Sequence, residues 1–338
     1  MNNDISPIVR EKAPLILAEI KKATNILLHC HPSPDPDSVG SALAMKFALE
    51  QMGKKATVIK GDSDIPQAFM HFPGATEIMM KGFGDINLHE YDLFISLDSG
   101  SIDRISRQPI VFPDTMKVIN IDHHNTNSNF GSINLVEVTY PATCAILSDL
   151  FIAWSIKMDS NIASNIFIGI YTDTGAFKYR GVTKRIFEMA ASLSSFIPDI
   201  PELVTRMENS NTPAFMRFEG AALDAIETSS SGRYAISSIT YKTLVEKKIP
   251  INEIRGSELS SFMLSVIDWD IVASAVEFEP GKVKLSFRSR DFSKFDISKL
   301  AVMLGGGGHK MAAGAIVSGS IAEVKKIVAE KVKELYNL

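Results

Sequence analysis

Short apolar segments alternate with segments of helical periodicity through the first half of the chain. An apolar run of about five residues predicts a buried strand. Val39, Leu43 and Phe47, spaced by four, predict a helix over 38–52 with Ser38 as its N-cap. Strands that alternate with helices form parallel sheets with both faces covered, so this half predicts an α/β domain. The predicted strands are 25–29, 56–60, 93–97 and 117–121, and the other predicted helices are 143–157, 162–171 and 183–196.

The length of 338 residues predicts about two domains. Two prolines within 197–201 interrupt the alternation, and a Ser/Gly cluster at 229–232 follows a largely helical stretch. The C-terminal part has further strand and helix patterns, at 234–239, 271–278, 282–288, 296–304 and 321–335, with a hairpin turn at 279–281. We therefore predict a parallel-sheet domain over 1–198, a helical linker over 199–230 and a smaller α/β domain over 231–338.

The charge balance limits what the chain can bind. Lys and Arg total 35 and Asp and Glu total 39, a net charge of −4, and 45% of the residues are hydrophobic. These proportions exclude a disordered chain, and a net acidic chain has a poor grip on long nucleic acid, although a small anionic ligand is allowed. Cys30 and Cys144 are too few for a disulfide framework. No signal peptide or membrane span is indicated, so we expect a soluble cytoplasmic protein.

Acidic and histidine side chains follow the predicted strands. The carboxyl ends of parallel strands share one edge, so these segments should deliver their side chains to one crevice. Alone, Asp-Pro pairs and Asp-Ser-Gly segments are usually turns or caps, but three polar groups directly after a buried strand need partners. The residues are His31, Asp35 and Asp37 after the first strand, Asp98 after the third, Asp122, His123 and His124 at the fourth, and Asp173 at a helix end.

This donor set predicts divalent metal ions. Several carboxylates cannot stay ionised side by side without a cation. Oxygen-rich ligation with only a few imidazoles suits Mn²⁺ or Mg²⁺ better than structural zinc. The ligands are too many for one ion, and two ions about 3.5–4 Å apart that share one carboxylate are an arrangement that hydrolyses phosphoesters.

The joint pattern resembles the DHH phosphoesterase family, which is named after the triplet Asp122-His123-His124. The family's first motif, His-x-x-x-Asp-x-Asp followed by Gly-Ser, is also present. A second signature, Gly305 to His309, resembles the glycine-rich loop of the DHH-associated domain, so the resemblance covers nearly the whole chain. The first-domain motifs are found in order at His31, Asp35, Asp37, Gly40, Ser41, Asp98, Asp122, His123, His124 and Asp173.

The resemblance implies a role for each side chain. Asp98 would bridge two Mn²⁺ ions, with Mg²⁺ as an alternative metal. His124 would face the scissile phosphate and Asp122 would orient its neighbours. Arg104 would contact phosphate, or alternatively form a surface ion pair with Asp103 or Glu90. One ion would be bound by His31, Asp35 and Asp98, and the other by Asp37, Asp98, His123 and Asp173.

The glycine run has a physical interpretation of its own. Backbone N–H groups without a Cβ can approach an anion closely, and the guanidinium of Arg288 can grip a phosphate bidentately. We expect these groups to hold the non-scissile phosphate of a substrate across an interdomain cleft. A flexible hinge is the alternative for such a run. The loop residues concerned are Gly306, Gly307, Gly308 and His309.

Within the family, the two-domain length and both signatures are most similar to the nanoRNase and pAp phosphatase branch. This implies a two-metal hydrolase, a homodimer by default, that shortens very short RNA and removes the 3′-phosphate of adenosine 3′,5′-bisphosphate (pAp). The alternatives are a stand-alone linear or cyclic dinucleotide phosphodiesterase, a manganese pyrophosphatase and a non-catalytic nucleotide sensor. The glycine run disfavours the pyrophosphatase, and the complete ligand set disfavours the sensor.

Overall fold

A computed structural model describes residues 5–179, 181–209, 211–254 and 256–338, with only the backbone of Ser257. The chain forms two compact units, Met1–Ser210 and Asn211–Leu338. Their boundary lies inside the predicted linker 199–230, because the two helices of that stretch bury apolar faces in different units. Leu203 packs against the core of the first unit, whereas Phe218 is buried in the second.

The first unit is built on one sheet with helices and short 3₁₀ turns around it. Its elements are α1 (Pro7–Lys22), β1 (Asn25–His29), α2 (Pro36–Gln51), β2 (Lys55–Ile59), β3 (Leu93–Leu97), β4 (Lys117–Asp122), β5 (Ile133–Val136), α3 (Thr143–Ala153), α4 (Ser160–Asp173), α5 (Lys184–Ser194) and α6 (Ile200–Glu208), with 3₁₀ turns at Gln67–His71, Ala75–Glu77, Phe83–Asp85, Leu88–Glu90 and Ile102–Arg104.

The five strands pair in the order β2-β1-β3-β4-β5, and every pair is parallel. The predicted α/β class and parallel sheet are therefore confirmed. Strand β2 lies on one side of β1, and β3 to β5 lie on the other. Ligands of open parallel sheets bind at such a reversal, in the crevice beyond the carboxyl ends of the strands. Here that crevice lies between β1 and β3.

The two faces of this sheet are covered differently. Side chains of a strand alternate between faces, so Ile26 and Leu28 of β1 join the core formed with the helices. Leu27 points to the other face, where the cover consists of 3₁₀ turns and loops. Phe94 is fully buried there and stacks on Phe112 with ring centroids 5.1 Å apart. This layer contains fewer helical residues than an alternating pattern predicts.

Helix α2 begins two residues earlier than the sequence predicts. Its N-cap is Asp35, whose Oδ1 accepts a hydrogen bond from the Ser38 amide at 2.9 Å, and Pro36 occupies the first turn. Proline is favoured there because its missing N–H would have no partner anyway. The prediction of Ser38 as the cap is therefore wrong. Asp37 lies in the first turn of α2 and not in the preceding loop.

The second unit has a mixed sheet in the order β10-β11-β9-β8-β7-β6. Its elements are α7 (Pro213–Asp224), β6 (Ile226–Thr228), β7 (Tyr234–Ile239), α8 (Tyr241–Glu246), a 3₁₀ turn at Ile251–Glu253, α9 (Gly256–Met263), β8 (Ile271–Glu279), β9 (Lys282–Ser289), α10 (Ile297–Met303), β10 (Gly307–Gly308), β11 (Ala312–Ser318) and α11 (Ile321–Tyr336).

Strands β8 and β9 pair antiparallel through a turn at Pro280 and Gly281, which confirms the predicted hairpin. Strands β7 and β8 are parallel, and the other pairs are antiparallel. Apolar side chains of α11, such as Val328, pack on one face of the sheet, and those of α7, such as Phe218, pack on the other. Among the described residues, no helix has the length and apolar composition needed to cross a bilayer.

Candidate metal centre

The predicted ligands of the first unit meet at the reversal of strand order. His31 lies two residues beyond β1, and Asp98 directly follows β3. The Nε2 atom of His31 lies 3.3 Å from Oδ2 of Asp98. Asp98 has a φ of +56°, a left-handed conformation that aspartate adopts more readily than most residues. The topology of the sheet thus joins two ligands that are far apart in the chain.

Asp35 completes a first group of three ligand atoms with His31 and Asp98. Oδ2 of Asp35 lies 3.6 Å from Nε2 of His31, while its Oδ1 caps helix α2. The cap fixes this carboxylate beside the imidazole. The loop is held as well, because the His31 amide donates a 3.0 Å hydrogen bond to Oγ of Ser38.

A second group of three ligand atoms comes from Asp37, His123 and Asp173. Nε2 of His123 lies 3.5 Å from Oδ2 of Asp173 and 3.5 Å from Oδ1 of Asp98. Asp98 therefore contacts one imidazole of each group, His31 through Oδ2 and His123 through Oδ1. A carboxylate shared by two adjacent ions requires such a placement.

The N-terminus of helix α3 holds the buried carboxylate of Asp37. The backbone amides of Thr143 and Cys144 donate to its two oxygens at 2.7 and 2.9 Å. The Thr143 hydroxyl also donates to Oδ1 of Asp98 at 3.1 Å. The partial positive charge at a helix N-terminus favours anions, so the N-terminus of α3 stabilises the acidic cluster.

A glycine lets helix α4 bring Asp173 to the same place. A Cβ built on Gly169 would lie 2.6 Å from Oδ1 of Asp37 and 2.4 Å from Sγ of Cys144. Any side chain at position 169 would push α4 away from α2 and α3. Asp173 ends this helix one turn further on, as the sequence predicts.

Burial and neighbouring charges shift the pKa values of the clustered groups in opposite directions. Burial by itself lowers the pKa of His31, but hydrogen bonds with Asp35 and Asp98 raise it to about 11. Burial likewise opposes the charge on His123, but Asp98 above all raises its pKa to about 10. Burial by itself raises the pKa of Asp98, but His123 and His31 hold it well below its usual range. Burial and then neighbouring carboxylates raise the pKa of Asp37 to about 7 and that of Asp173 well above its ordinary value.

This electrostatic conflict fits a divalent cation. Protons on two imidazoles neutralise the cluster only in part, and two carboxylates still have raised pKa values because they are buried and lie beside other carboxylates. A metal ion would replace those protons, because it binds deprotonated imidazole and carboxylate. The donor set consists of hard oxygens with a few nitrogens, and the described part of the chain places no thiolate in these groups. That composition suits Mn²⁺ or Mg²⁺.

His124 is held beside the centre by a chain of polar contacts. Its Nδ1 lies 2.7 Å from Oδ1 of Asp122, and Oδ2 of Asp122 accepts a 2.6 Å hydrogen bond from the Asn127 side chain. The contact with Asp122 raises the pKa of His124. Nδ1 of His124 also lies 3.8 Å from Asp98, so His124, Asp98 and His123 form a third group within ligand reach. The structure thus places His124 at the edge of the centre, with Asp122 behind it.

Arg104 belongs to the 3₁₀ turn Ile102–Arg104 that follows Asp98, and it is exposed. Within the described ranges, it makes no ion pair with Asp103 or Glu90, which was the alternative to a phosphate contact. Glu90 accepts a hydrogen bond from Asn87 instead. A phosphate contact by Arg104 stays a prediction.

In the second unit, Arg288 and the glycine run lie at one end of the mixed sheet. Arg288 is paired with Ala312 of β11, and Gly308 is paired with Ala313 of the same strand. The glycine run begins a hairpin instead of an open loop, because the His309 amide donates to the Ala312 carbonyl at 2.8 Å. Nε of Arg288 donates to the Ser261 hydroxyl at 3.1 Å. A hinge is thus excluded for Gly307 and Gly308, which form β10.

The glycines of this hairpin differ in whether the structure leaves room for a side chain. A Cβ on Gly306 would lie 2.1 Å from the carbonyl oxygen of Gly314, and Gly308 has a φ of +140°. Gly307 is exposed, and a Cβ there would meet nothing within 4 Å. Gly306 and Gly308 therefore allow the hairpin to form, whereas Gly307 is free to serve a ligand.

We expect Gly306→Ala to lower the free energy of unfolding by about 1–3 kcal/mol, because the backbone of Gly314 has to move. Gly307→Ala should change it by less than about 0.5 kcal/mol. Urea unfolding of both variants measures the difference. Equal losses would contradict the separate roles given to these two glycines.

Sequence reasoning missed three supports of the site. Thr143 binds two of the carboxylates but begins an ordinary helical pattern, and Asn127 lies in a polar stretch after the histidine pair. Arg107 donates a 2.9 Å hydrogen bond to Ser33 in the loop between His31 and Asp35. The one available signal for Thr143 is that its helix begins next to the acidic cluster. That position is known only once the fold is known.

Two family models match the chain. Residues 25–170 match the DHH family, N-terminal domain, and residues 240–336 match the DHHA1 domain. The chain thus contains a DHH domain followed by a DHHA1 domain. The resemblance inferred from the motifs is thereby confirmed. In this DHH protein, Asp173 lies three residues beyond the matched N-terminal range, and the other ligand candidates lie inside it.

Relatives of this DHH protein match it along nearly its full length. The bifunctional oligoribonuclease and PAP phosphatase NrnA of Thermus thermophilus is 29% identical, over 98% of this chain and 97% of that protein. The crystal structure of an exopolyphosphatase-related protein from Bacteroides fragilis has a TM-score of 0.88 at 23% identity and 99% coverage of both chains. RecJ of Thermus thermophilus in complex with Mn²⁺ has a TM-score of 0.52 at 15% identity, covering 97% of this chain and 54% of that one. The solved structures share the fold.

Proposed function

We propose that this DHH protein is a metal-dependent phosphoester hydrolase that degrades very short RNA and removes the 3′-phosphate of pAp. The observation that carries this proposal is the pair of ligand groups joined by Asp98. The printed activities of the full-length relative from Thermus thermophilus support the two substrates. Both reactions are hydrolyses of a phosphoester, so one centre can perform both.

Two Mn²⁺ ions, or Mg²⁺ in their place, would be held by the groups described above. His31, Asp35 and Asp98 would hold one ion, and Asp37, Asp98, His123 and Asp173 would hold the other. The Mn²⁺ complex of RecJ, which shares the fold, supports the choice of metal. Bound ions supply a water of lowered pKa and positive charge for the phosphoryl oxygens.

The chain's own residues position the substrate and its protons. Nδ1 of His124 contacts the Asp122 carboxylate, so Nδ1 carries a proton and Nε2 is the atom left to face the phosphoryl group. The hydrogen bond with Asp122 raises the pKa of His124 and so favours the protonated ring, in which Nε2 can donate a hydrogen bond to an oxygen that gains negative charge. Asn127 orients Asp122 and thereby the ring.

We assign the remaining candidates to substrate binding. Arg104 follows the bridging Asp98 and presents an exposed guanidinium. In the second unit, Arg288, the backbone N–H groups of the glycine hairpin and His309 provide donors for a second phosphate. The net charge of −4 supports short substrates over long strands, whose affinity depends on many cationic contacts. The glycine residues concerned are Gly306, Gly307 and Gly308.

Initial rates with Mn²⁺ on a substrate panel test this function. The panel contains pAp, a 5′-phosphorylated diribonucleotide, a 24-residue RNA, pyrophosphate, polyphosphate and a cyclic dinucleotide. We expect turnover of pAp and the diribonucleotide, and little turnover of the others. Preferred turnover of the cyclic dinucleotide would favour the phosphodiesterase alternative, and preferred turnover of pyrophosphate or polyphosphate would contradict the proposal.

A further inference from the structure

A groove lies next to the loop that carries His31 and Asp35, and its lining comes from segments that follow β2 and the 3₁₀ turn Ile102–Arg104. Its volume is about 500 Å³, within the range of about 300–1,000 Å³ typical of small-molecule sites. Its lining includes Lys60, Gly61 and Arg107, with an apolar part that includes Ile110 and Val111. None of these residues was a candidate from the sequence.

Three contacts connect the groove to the candidate metal centre. Gly61 packs so tightly on the backbone before His31 that a Cβ there would lie 2.4 Å from the Cys30 carbonyl oxygen. The guanidinium of Arg107 donates to Oγ of Ser33 at 2.9 Å, and the Ser33 amide donates to Oγ of Ser63 at 2.8 Å. The groove is therefore a direct continuation of the loop that carries His31 and Asp35.

The charges of the groove leave one cation free for a ligand. Asp62 is satisfied by the Ser106 hydroxyl at 2.9 Å and the Arg107 amide at 2.5 Å. Lys60 is paired with Asp64 at 2.5 Å. In the ranges that the structure covers, the guanidinium of Arg107 has no carboxylate partner and contacts only the Ser33 hydroxyl. It can still bind an anionic or strongly polar ligand group.

The apolar part of the groove is open to solvent. Val111 has an exposed fraction of 85%, so its side chain is accessible to a ligand in the groove. A guanidinium beside an accessible aliphatic surface suits a nucleotide, because the base can lie on the apolar side while the phosphate or ribose contacts the arginine. A free inorganic anion would gain nothing from the apolar side.

The two proposed substrates differ by one nucleoside, which is attached to the phosphoryl group in RNA and absent from pAp. In pAp, hydrolysis breaks the bond between O3′ and phosphorus. Phosphorus forms a new bond to the water oxygen, and O3′ takes a proton from that water. In RNA the same bond breaks, but the phosphoryl group remains esterified to the next nucleoside, which leaves as a 5′-nucleotide. A centre that performs both reactions needs room for this additional nucleoside only with RNA.

We propose that the Arg107 groove is the subsite for the nucleoside attached to the phosphoryl group of an RNA substrate. The proposal rests on the function proposed above and deepens it. Arg107 would then be required for the hydrolysis of RNA but not for the hydrolysis of pAp. Ser33 positions the guanidinium of Arg107 toward the loop that carries His31 and Asp35.

The test compares Arg107→Gln with the wild-type protein on a 5′-phosphorylated diadenylate and on pAp, both with Mn²⁺. We expect kcat/KM for the diadenylate to fall about 10- to 100-fold, the range for a lost hydrogen bond to a charged group, while the value for pAp changes less than about threefold. Arg206→Gln, at an exposed arginine paired with Glu202, should change neither. An equal loss on both substrates, or no loss on either, would overturn the proposal.

Val111→Asp is a second variant that does not depend on Arg107. It places a carboxylate in the groove at an exposed position, so it should reduce diadenylate turnover by about tenfold and leave pAp turnover and thermal stability nearly unchanged. Val245→Asp, at an exposed valine of the second unit, is the matched control. Wild-type diadenylate turnover in Val111→Asp would contradict the subsite. If the wild-type protein turned over neither substrate, the proposed function itself would fail.

Discussion

Asp98→Asn should abolish turnover of both pAp and the diribonucleotide. The expected loss is about 10³-fold or more, which corresponds to about 4 kcal/mol of transition-state stabilisation. Asp98 contacts His31 of one ligand group and His123 of the other, so the neutral amide of asparagine leaves both groups incomplete. Asparagine keeps the volume of the side chain and also tolerates the left-handed φ of +56°, which alanine does not. The protein should therefore remain folded.

Asp103→Asn is the matched control, because Asp103 is exposed and lies five residues further along the same segment. It should retain wild-type turnover. Purified variants are compared by initial rates at saturating Mn²⁺ and by thermal unfolding. Turnover of Asp98→Asn within tenfold of wild type would contradict the shared role of Asp98.

Removal of divalent ions should have an effect of the same size. EDTA followed by desalting should eliminate turnover, and Mn²⁺ should restore it, because no described residue replaces the charge that the ions supply. The ions should also stabilise the fold, since they compensate the burial and mutual repulsion of carboxylates that raise the pKa values of Asp37 and Asp173. At 100 times the dissociation constant, this gain is about 2.7 kcal/mol.

Activity and Tm are measured together on the depleted protein, with and without Mn²⁺. Calcium-saturated EDTA serves as the control for the chelator itself. Asp98→Asn should show a much smaller Mn²⁺-dependent rise in Tm than the wild-type protein. Full turnover after depletion, with no rise in Tm on adding Mn²⁺, would contradict a metal-dependent mechanism.

The sequence was sufficient for the parts of this molecule that depend on local pattern and order. Parallel strands end on one edge, so the groups after β1, β3 and β4 could be predicted to meet before any geometry was known. The hairpin at Pro280 and Gly281 was also readable from turn residues. The division of ligands between two ions came from the family resemblance, and it stays a prediction.

The supports of the site could not be read from the sequence because they depend on tertiary contacts. Thr143 binds Asp37 and Asp98 only because α3 is aimed at the sheet edge. Gly169 is required only because α4 approaches Asp37 closely. The Asp35 cap was misplaced for a local reason, since Pro36 was interpreted as a loop residue although proline also starts helices.

The glycine run shows the same limit on a smaller scale. Its composition indicated backbone donors for an anion, but it could not separate Gly307, which is open to solvent, from Gly306, which packs against the backbone of β11. The distinction depends on the antiparallel pairing of β10 with β11. The sequence predicted neither of these strands.

Anomalous diffraction from crystals grown with Mn²⁺ would locate the metal ions relative to Asp98. We expect two peaks about 3.5–4 Å apart beside Asp98, one near His31 and Asp35 and the other near Asp37, His123 and Asp173. A single peak, or peaks that lie away from Asp98, would contradict it.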